Sequence, residues 1–367
     1  MPGEMPIRRL PRASAKGRAN SASDARHSEA SIRQTLIEQN LIYGMLTLPS
    51  NLFYTVTLPA TLWFFDKGKT DERVLFIDAR NIFTQIDRAH RELSDAQIQN
   101  IAIIPRLHKG RRQEFVDLVD RYLHQGMAQL HEAAEHLPGL SQRLLAVLAA
   151  ELDDADKQTT QAPREAIAHL EAQWAQLADL DKAQAQHERS RGQKHAIDGR
   201  NEAQHALRAR FSPFFAGLHA AAKALDKAIR EMDKRKAEAA KMEGKRATVN
   251  RQTKGVKEAV QALHDELKAA ELFYQHVSWL QERFPKASYE DVTGLCKLAS
   301  RAEIKEQDWS LNPGRYVGVV IEEDGKTQEE FISLLDEMNE ELRNLSKDAQ
   351  SLGNVVDANM TALLGAM

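Results

Sequence analysis

From about Arg111 to Phe284 the chain is built almost entirely of Ala, Gln, Glu, Lys, Arg and Leu. These are the strongest helix formers, so nearly half of the molecule is expected to be helical before any tertiary contact is considered. Pro138, Pro163, Pro213 and the stretch from Gly192 to Gly199 are expected to punctuate it. One register is clear: Val249, Thr253, Val256, Val260, Leu263, Leu267, Ala270, Tyr274 and Val277 recur in steps of four and three. Leu218, Ala222, Leu225, Ile229 and Met232 follow the same rhythm, out of phase by one residue, with the slip near Gly244. The pattern predicts two coiled-coil arms that break or turn there. The chain's 18 glycines and 11 prolines among 367 residues, and its 6% aromatic content, agree with long solvent-washed helices.

The first third reads differently. Met1 to Arg33 holds seven bases, three acids and three prolines with few large apolar residues, which predicts a flexible basic arm over 1–30. Ile32, Leu36 and Ile37 then suggest one face of a short helix. Gln39 to Phe65 contains no charged residue. A transmembrane helix is disfavoured there, because Pro49 and Pro59 interrupt it and four threonines dilute it. Two buried strands, Leu41–Leu48 and Ala60–Phe65, fit better, with a third at Val74–Ile77. Ser94 is expected to open a helix that Pro105 stops.

Catalytic signatures are sparse. No two glycines stand two apart, so no Gly-x-Gly phosphate fingerprint exists in these residues, nor a P-loop or a nucleophile elbow. His131 and His136 are five apart on a helix and diverge by roughly 140°, too far to share a metal. Cys296, the single cysteine, excludes an intrachain disulfide and reads as a small core residue. Asn312-Pro313-Gly314 reads as a type II turn. The first thirty residues lack a secretory apolar stretch, so a cytoplasmic protein is expected.

Two surfaces are candidates for binding. Arg230 to Lys254 carries nine bases and four acids; Lys234, Arg235, Lys236, Lys245 and Arg246 are candidate phosphate contacts at a hairpin tip. The last helix holds the strongest seam: Phe331, Leu335, Met338, Leu342, Leu345, Ala349, Leu352, Val356, Asn359 and Leu363. Such a narrow stripe packs against another helix, inside this chain or on a partner. From Glu322 onward there are eleven acids and three bases, so the outer face would repel nucleic acid.

Three ordered blocks carry a family resemblance. They are Leu48-Pro49-Ser50-Asn51-Leu52-Phe53-Tyr54 with Leu58-Pro59-Ala60-Thr61-Leu62-Trp63-Phe64; Val74-Leu75-Phe76-Ile77-Asp78-Ala79-Arg80; and Tyr289-Glu290-Asp291-Val292 through Ser310-Leu311-Asn312-Pro313-Gly314-Arg315-Tyr316. In this order, followed by a heptad helix, they resemble the C-terminal portion of the modification subunit of type I restriction-modification enzymes. That family methylates adenine N6 in DNA with S-adenosylmethionine. Its glycine-rich cofactor loop and Asn-Pro-Pro-Phe motif precede the first block, and nothing before Ile32 matches either. Val56 and Phe83 depart from the family pattern, which usually has Thr and Gly there.

The resemblance implies a mostly α chain with an incomplete α/β methyltransferase sheet. Its expected parts are a basic arm (1–30), the end of the α/β domain (31–110), a coiled-coil insertion (111–284) and a C-terminal segment for subunit interaction (285–367). It implies no cofactor, metal or catalytic residue in this chain, with S-adenosylmethionine bound by the intact enzyme. The implied partners are the specificity and restriction subunits, DNA through the complex, and a separate N-terminal catalytic half, with no membrane. Such a chain would assemble and not catalyse alone. A non-catalytic coiled-coil protein, or a decoy for the specificity subunit, is the alternative.

Overall fold

The computed structural model describes residues 27–53, 56–88, 90–150, 157–191, 197–242 and 251–319, and positions 339, 342, 343, 346, 349, 350 and 353. The chain divides into two units, Met1–Gly318 and Val319–Met367. The first unit is mostly helical with a small mixed sheet.

After helix α1 (His27–Glu38) come strands β1 (Ile42–Thr47), β2 (Thr61–Phe65) and β3 (Val74–Asp78), at the three places where the apolar runs predict them. A two-stranded hairpin follows, β4 (Thr84–Gln85) and β5 (Arg91–Glu92). Helices α2 (Asp95–His108), α3 (Arg112–Ala150), α4 (Lys157–Ala175), α5 (Leu177–Arg191), α6 (Ile197–Met242) and α7 (Arg251–Arg283) come next. Strand β6 (Cys296–Ala299), helix α8 (Arg301–Glu306) and a 3-10 turn at Pro313–Arg315 complete the unit.

The sheet order is β2-β1-β3-β6, with β1 parallel to β3 and both outer pairs antiparallel. The whole helical stretch therefore lies between two strands that are hydrogen-bonded neighbours. Residues Val74 and Phe76 face one side of β3, and Leu75 and Ile77 the other. All four are buried, because each face meets its own core. One core joins Leu46, Leu75 and Ile77 to the long helices; the other joins Met45, Val74 and Phe76 to Ile37, Ile304, Leu311 and Tyr316. Strands covered on both faces are what an uncharged apolar run requires.

Within the helical part α3 packs chiefly along α7, and α4 along α6. Val256, Val260, Leu263, Leu267, Ala270 and Val277 are buried, as are Leu218, Ala222, Leu225, Ile229 and Met232. The described members of both periodic sets thus face the core, while Val249 and the side chain of Thr253 lie outside the described residues. The slip near Gly244 lies outside the described residues, between the end of α6 at Met242 and the start of α7 at Arg251.

Several local expectations are corrected. Ser94 does cap α2, in a reciprocal box in which Gln97 N donates to Ser94 Oγ at 3.2 Å and Ser94 N donates to Gln97 Oε1 at 2.9 Å. Pro105 does not stop that helix, which runs on to His108. Pro138, Pro163 and Pro213 likewise lie inside α3, α4 and α6. An interior proline costs about 3 kcal/mol. The buried Ile101, Ile104 and Leu107 in α2, and Leu137, Leu140 and Leu144 in α3, offset it by packing on both sides of the proline. On α1, Ile37 is buried but Ile32 is 59% exposed. Arg33 is the buried partner one turn before Ile37, its Nε donating to the Trp309 carbonyl at 3.1 Å. A charged residue thus takes the place that the apolar pattern assigned to Ile32.

Candidate functional site

The first two blocks meet at the C-terminal ends of the parallel strands β1 and β3, where open α/β sheets place their ligand crevices. Ala79 N donates to the Thr47 carbonyl at 2.9 Å, and Leu48 N to the Ala60 carbonyl at 2.8 Å, so both chains leave the sheet together. Beyond β1 the chain turns through Asn51, whose φ of 58° lies in the left-handed region that Asn tolerates better than most residues. The β4–β5 hairpin clasps this turn. Arg91 N donates to the Asn51 carbonyl at 3.0 Å and Arg91 Nη1 to Ser50 Oγ at 2.9 Å, while its guanidinium carbon sits 3.9 Å from the centre of the Phe83 ring. Phe83, where the family usually has Gly, thus supports an arginine. Phe53, Val56 and Leu58 stand exposed beyond the clasp.

The third block docks onto the second. Asp78 N donates to the Leu295 carbonyl at 2.8 Å. The buried Asp78 carboxylate accepts Arg80 Nε at 2.9 Å and Arg80 Nη2 at 2.6 Å in a fork. This bond and the carboxylate charge raise the Arg80 pKa above its ordinary value. Gly314 lies against that fork: a Cβ there would sit 2.7 Å from Arg80 Nη2 and 3.4 Å from Asp78 Oδ2. Phe76 and Tyr316 stack with ring centres 4.0 Å apart, and the Tyr316 hydroxyl donates to the Ser310 carbonyl.

Asn312-Pro313-Gly314 is not a type II turn. Gly314 has no positive φ; it is part of the 3-10 turn, and Asn312 Oδ1 accepts Gly314 N at 3.2 Å. Glycine is kept here for space against Arg80. The Asn312 side-chain oxygen is thus engaged in shaping its own turn. Gly314→Ala is expected to cost about 1 kcal/mol, because the half-exposed Arg80 head can move away only by giving up its fork. In an Arg80→Ala background the same change should be near neutral, which a double-mutant cycle of urea unfolding checks.

The other residues singled out fall elsewhere. Lys234 and Arg235 are exposed on the last turns of α6. Nearby, Arg230 pairs with Asp226 at 2.8 Å, and Lys254 with Glu258 at 3.7 Å, so part of the positive stretch is neutralised by adjacent acids. Lys245 and Arg246, and the side chain of Lys236, lie outside the described residues. So do Phe331, Leu335, Met338, Leu345, Leu352, Val356, Asn359 and Leu363; Leu342 is described and is 62% exposed. His131 and His136 diverge as expected, to Asp181 at 2.7 Å and Glu266 at 2.9 Å on different helices. Cys296 is fully buried, and burial pushes its thiol up to about 11. Among the described residues no group of three His, Cys, Asp or Glu side chains could hold a metal, and no helix is long and apolar enough to cross a membrane.

Two buried polar networks are not legible in the sequence. Asp120 on α3 accepts His187 Nε2 at 2.7 Å, Gln204 Nε2 at 2.6 Å and Arg200 Nη2 at 2.6 Å, joining α3, α5 and α6. Burial alone would raise the Asp120 pKa; the hydrogen bonds from His187, Gln204 and Arg200 outweigh it and hold the carboxyl at about 2. In the second network, the Tyr122 hydroxyl donates to Asn100 Oδ1 at 3.1 Å, and Asn100 Nδ2 meets His276 Nδ1 at 3.1 Å. It ties α2, α3 and α7 together. Burial lowers the His276 pKa, so the ring stays neutral and accepts from the amide.

The family model falls on the part of the chain that holds the first two blocks. Residues 20–121 match the N-6 DNA Methylase family. Within that class the resemblance is to type I enzymes. A stretch of 86 residues is 43% identical to the type I restriction enzyme MjaIX methylase subunit of Methanocaldococcus jannaschii, covering 23% of this chain and 15% of that subunit. A stretch of 83 residues is 37% identical to the type I restriction enzyme HindI methylase subunit of Haemophilus influenzae, covering 22% of this chain and 19% of that one. A solved type I restriction-modification system methyltransferase subunit from Streptococcus thermophilus is 29% identical over 23% of this chain and 17% of that one, with a TM-score of 0.22. The matched stretches resemble type I methylase subunits, and each spans less than a fifth of the relative's own length.

Proposed function

We propose that this chain supplies the C-terminal part of a type I modification subunit, retaining subunit assembly and leaving cofactor binding to other sequence. The observation that carries this reading is the 43% identity to a type I methylase subunit over 86 residues. The packing of the third block onto the second, through Gly314 against Arg80 and Tyr316 on Phe76, supports treating all three blocks as one module. In this reading residues 31–110 are the end of a methyltransferase domain, 111–284 a coiled-coil insertion and 285–367 a segment for subunit contact, preceded by a basic arm over 1–30. The seam of Phe331, Leu335, Met338, Leu342, Leu345, Leu352, Val356, Asn359 and Leu363 packs on helices of the specificity subunit. The exposed Leu342 is consistent with that role. The restriction subunit joins the same complex, and DNA is reached through it, with Lys234, Arg235, Lys236, Lys245 and Arg246 near phosphates. S-adenosylmethionine and the adenine-N6 chemistry belong to the assembled enzyme, in the cytoplasm.

Co-purification with a type I specificity subunit tests assembly. Leu342→Asp with Leu345→Asp should abolish it, while the helical content of the chain is unchanged. Retained binding by this double variant would contradict the assigned seam.

A further inference from the structure

Strand β2 is the open edge of the sheet, and its outer side can be mapped residue by residue. Leu48 N donates to the Ala60 carbonyl and Asp66 N to the Leu41 carbonyl, so the backbone groups of residues 60 and 66 face β1. The period of two then turns Leu62 and Phe64 toward β1, and Thr61, Trp63 and Phe65 outward. Among the described residues no strand pairs with that side. An edge strand is usually blunted by charge, proline, a bulge or a cover. Thr61–Phe65 has no charged residue and no proline, and the register shift in this pair lies on β1, between Ile42 and Gly44.

The cores end there as well. Leu62 and Phe64 are half-buried against the helical core, and Trp63 and Phe65 against the opposite one. Met45 and Leu46 on the adjacent β1, and Leu75 and Phe76 on β3 beyond it, are buried. Both hydrophobic layers thus stop at large rings with one side open, as a sheet does when cut between two strands.

We infer that the outer edge of β2 pairs with a strand of a separately supplied polypeptide, one that carries the methylase sequence preceding the first block in type I subunits. This rests on the function proposed above. The occupant is chosen because the relatives hold more than four-fifths of their length outside the matched stretch. An apolar strand with a helical layer on each face would continue both cores and satisfy the outward groups of Thr61, Trp63 and Phe65.

The test mixes the full chain with the part of the MjaIX subunit that precedes its matched residues, and follows amide hydrogen exchange in the 58–68 region. The expected result is a one-to-one complex in which the Thr61, Trp63 and Phe65 amides exchange at least tenfold more slowly than in the chain alone. Thr61→Pro removes an outward donor without touching the ladder to β1, so it should weaken the complex at least tenfold. Thr61→Val keeps the donor and should bind as the parent does. A complex without protection of these amides, and indifferent to Thr61→Pro, overturns the edge pairing and leaves the functional reading standing. Absence of any complex counts against both. Slow exchange in the chain alone also overturns the inference: if independent of concentration, the edge is covered by this chain's own residues; if it rises with concentration, by a second copy.

Discussion

Asp120→Ala is expected to lower the unfolding free energy by about 3–5 kcal/mol, the range for removing one partner of a buried ion pair. Its carboxylate is 4% exposed and is the shared acceptor for His187, Gln204 and Arg200, side chains on two other helices. Truncation leaves two of those donors without this acceptor inside a packed bundle, and Arg200 with only the Asp117 carboxylate at 2.9 Å. Asp117→Ala should cost no more than about 1 kcal/mol, because that carboxylate is 41% exposed and solvent replaces what it gives. The contrast between two aspartates one turn apart separates a buried network from surface charge. It also has a pH signature. Asp120 is held at about 2, below its ordinary 3.8. A depressed carboxyl stabilises the fold fully above the unfolded value, and that contribution is lost as pH falls from about 4 through about 2. The gap between wild type and Asp120→Ala in urea midpoint should therefore narrow over that window. A gap unchanged between pH 6 and pH 2.5 would contradict the hydrogen-bonded, ionised Asp120.

The second large effect is at Phe76. It is fully buried in the centre of β3, opposite Met45 on β1 and Lys297 on β6, with its ring on Tyr316. Phe76→Ala should cost about 3–5 kcal/mol, the usual cost of emptying a core phenylalanine site. The loss should be accompanied by faster proteolysis within 310–318, since Tyr316 loses the ring it stacks on. Tyr316→Phe should cost only about 1 kcal/mol, for the lost hydrogen bond to the Ser310 carbonyl. Urea unfolding and limited proteolysis read both. Equal protease resistance in Phe76→Ala would mean that the third block is held independently of β3.

The parts of this architecture that follow from local chemistry are visible in the residues themselves. Apolar runs separated by Pro49 and Pro59 mark β1 and β2; Val74 to Ile77 marks β3; Ser94 with Gln97 marks the start of α2. The periodic sets on α6 and α7 name their own buried faces. What depends on residues far apart in the chain is not visible. The Asp120 network draws on positions 67 to 84 residues away, and nothing about His187 or Gln204 in isolation marks them as partners. Gly314 looks like a turn glycine until Arg80 is brought against it. The prolines mislead for the same reason: their local cost is certain, while the packing that overrides it comes from α3's and α6's neighbours.

The most direct test is reconstitution. The chain is combined with the cofactor-binding part of a type I methylase subunit and a specificity subunit, and methyl transfer from labelled S-adenosylmethionine to adenine N6 in DNA is measured. The expected result is transfer by the three components together, and none by the chain alone or by the other two without it. Transfer by the isolated chain, or a three-component complex that assembles but never methylates, as a decoy would, contradicts the account.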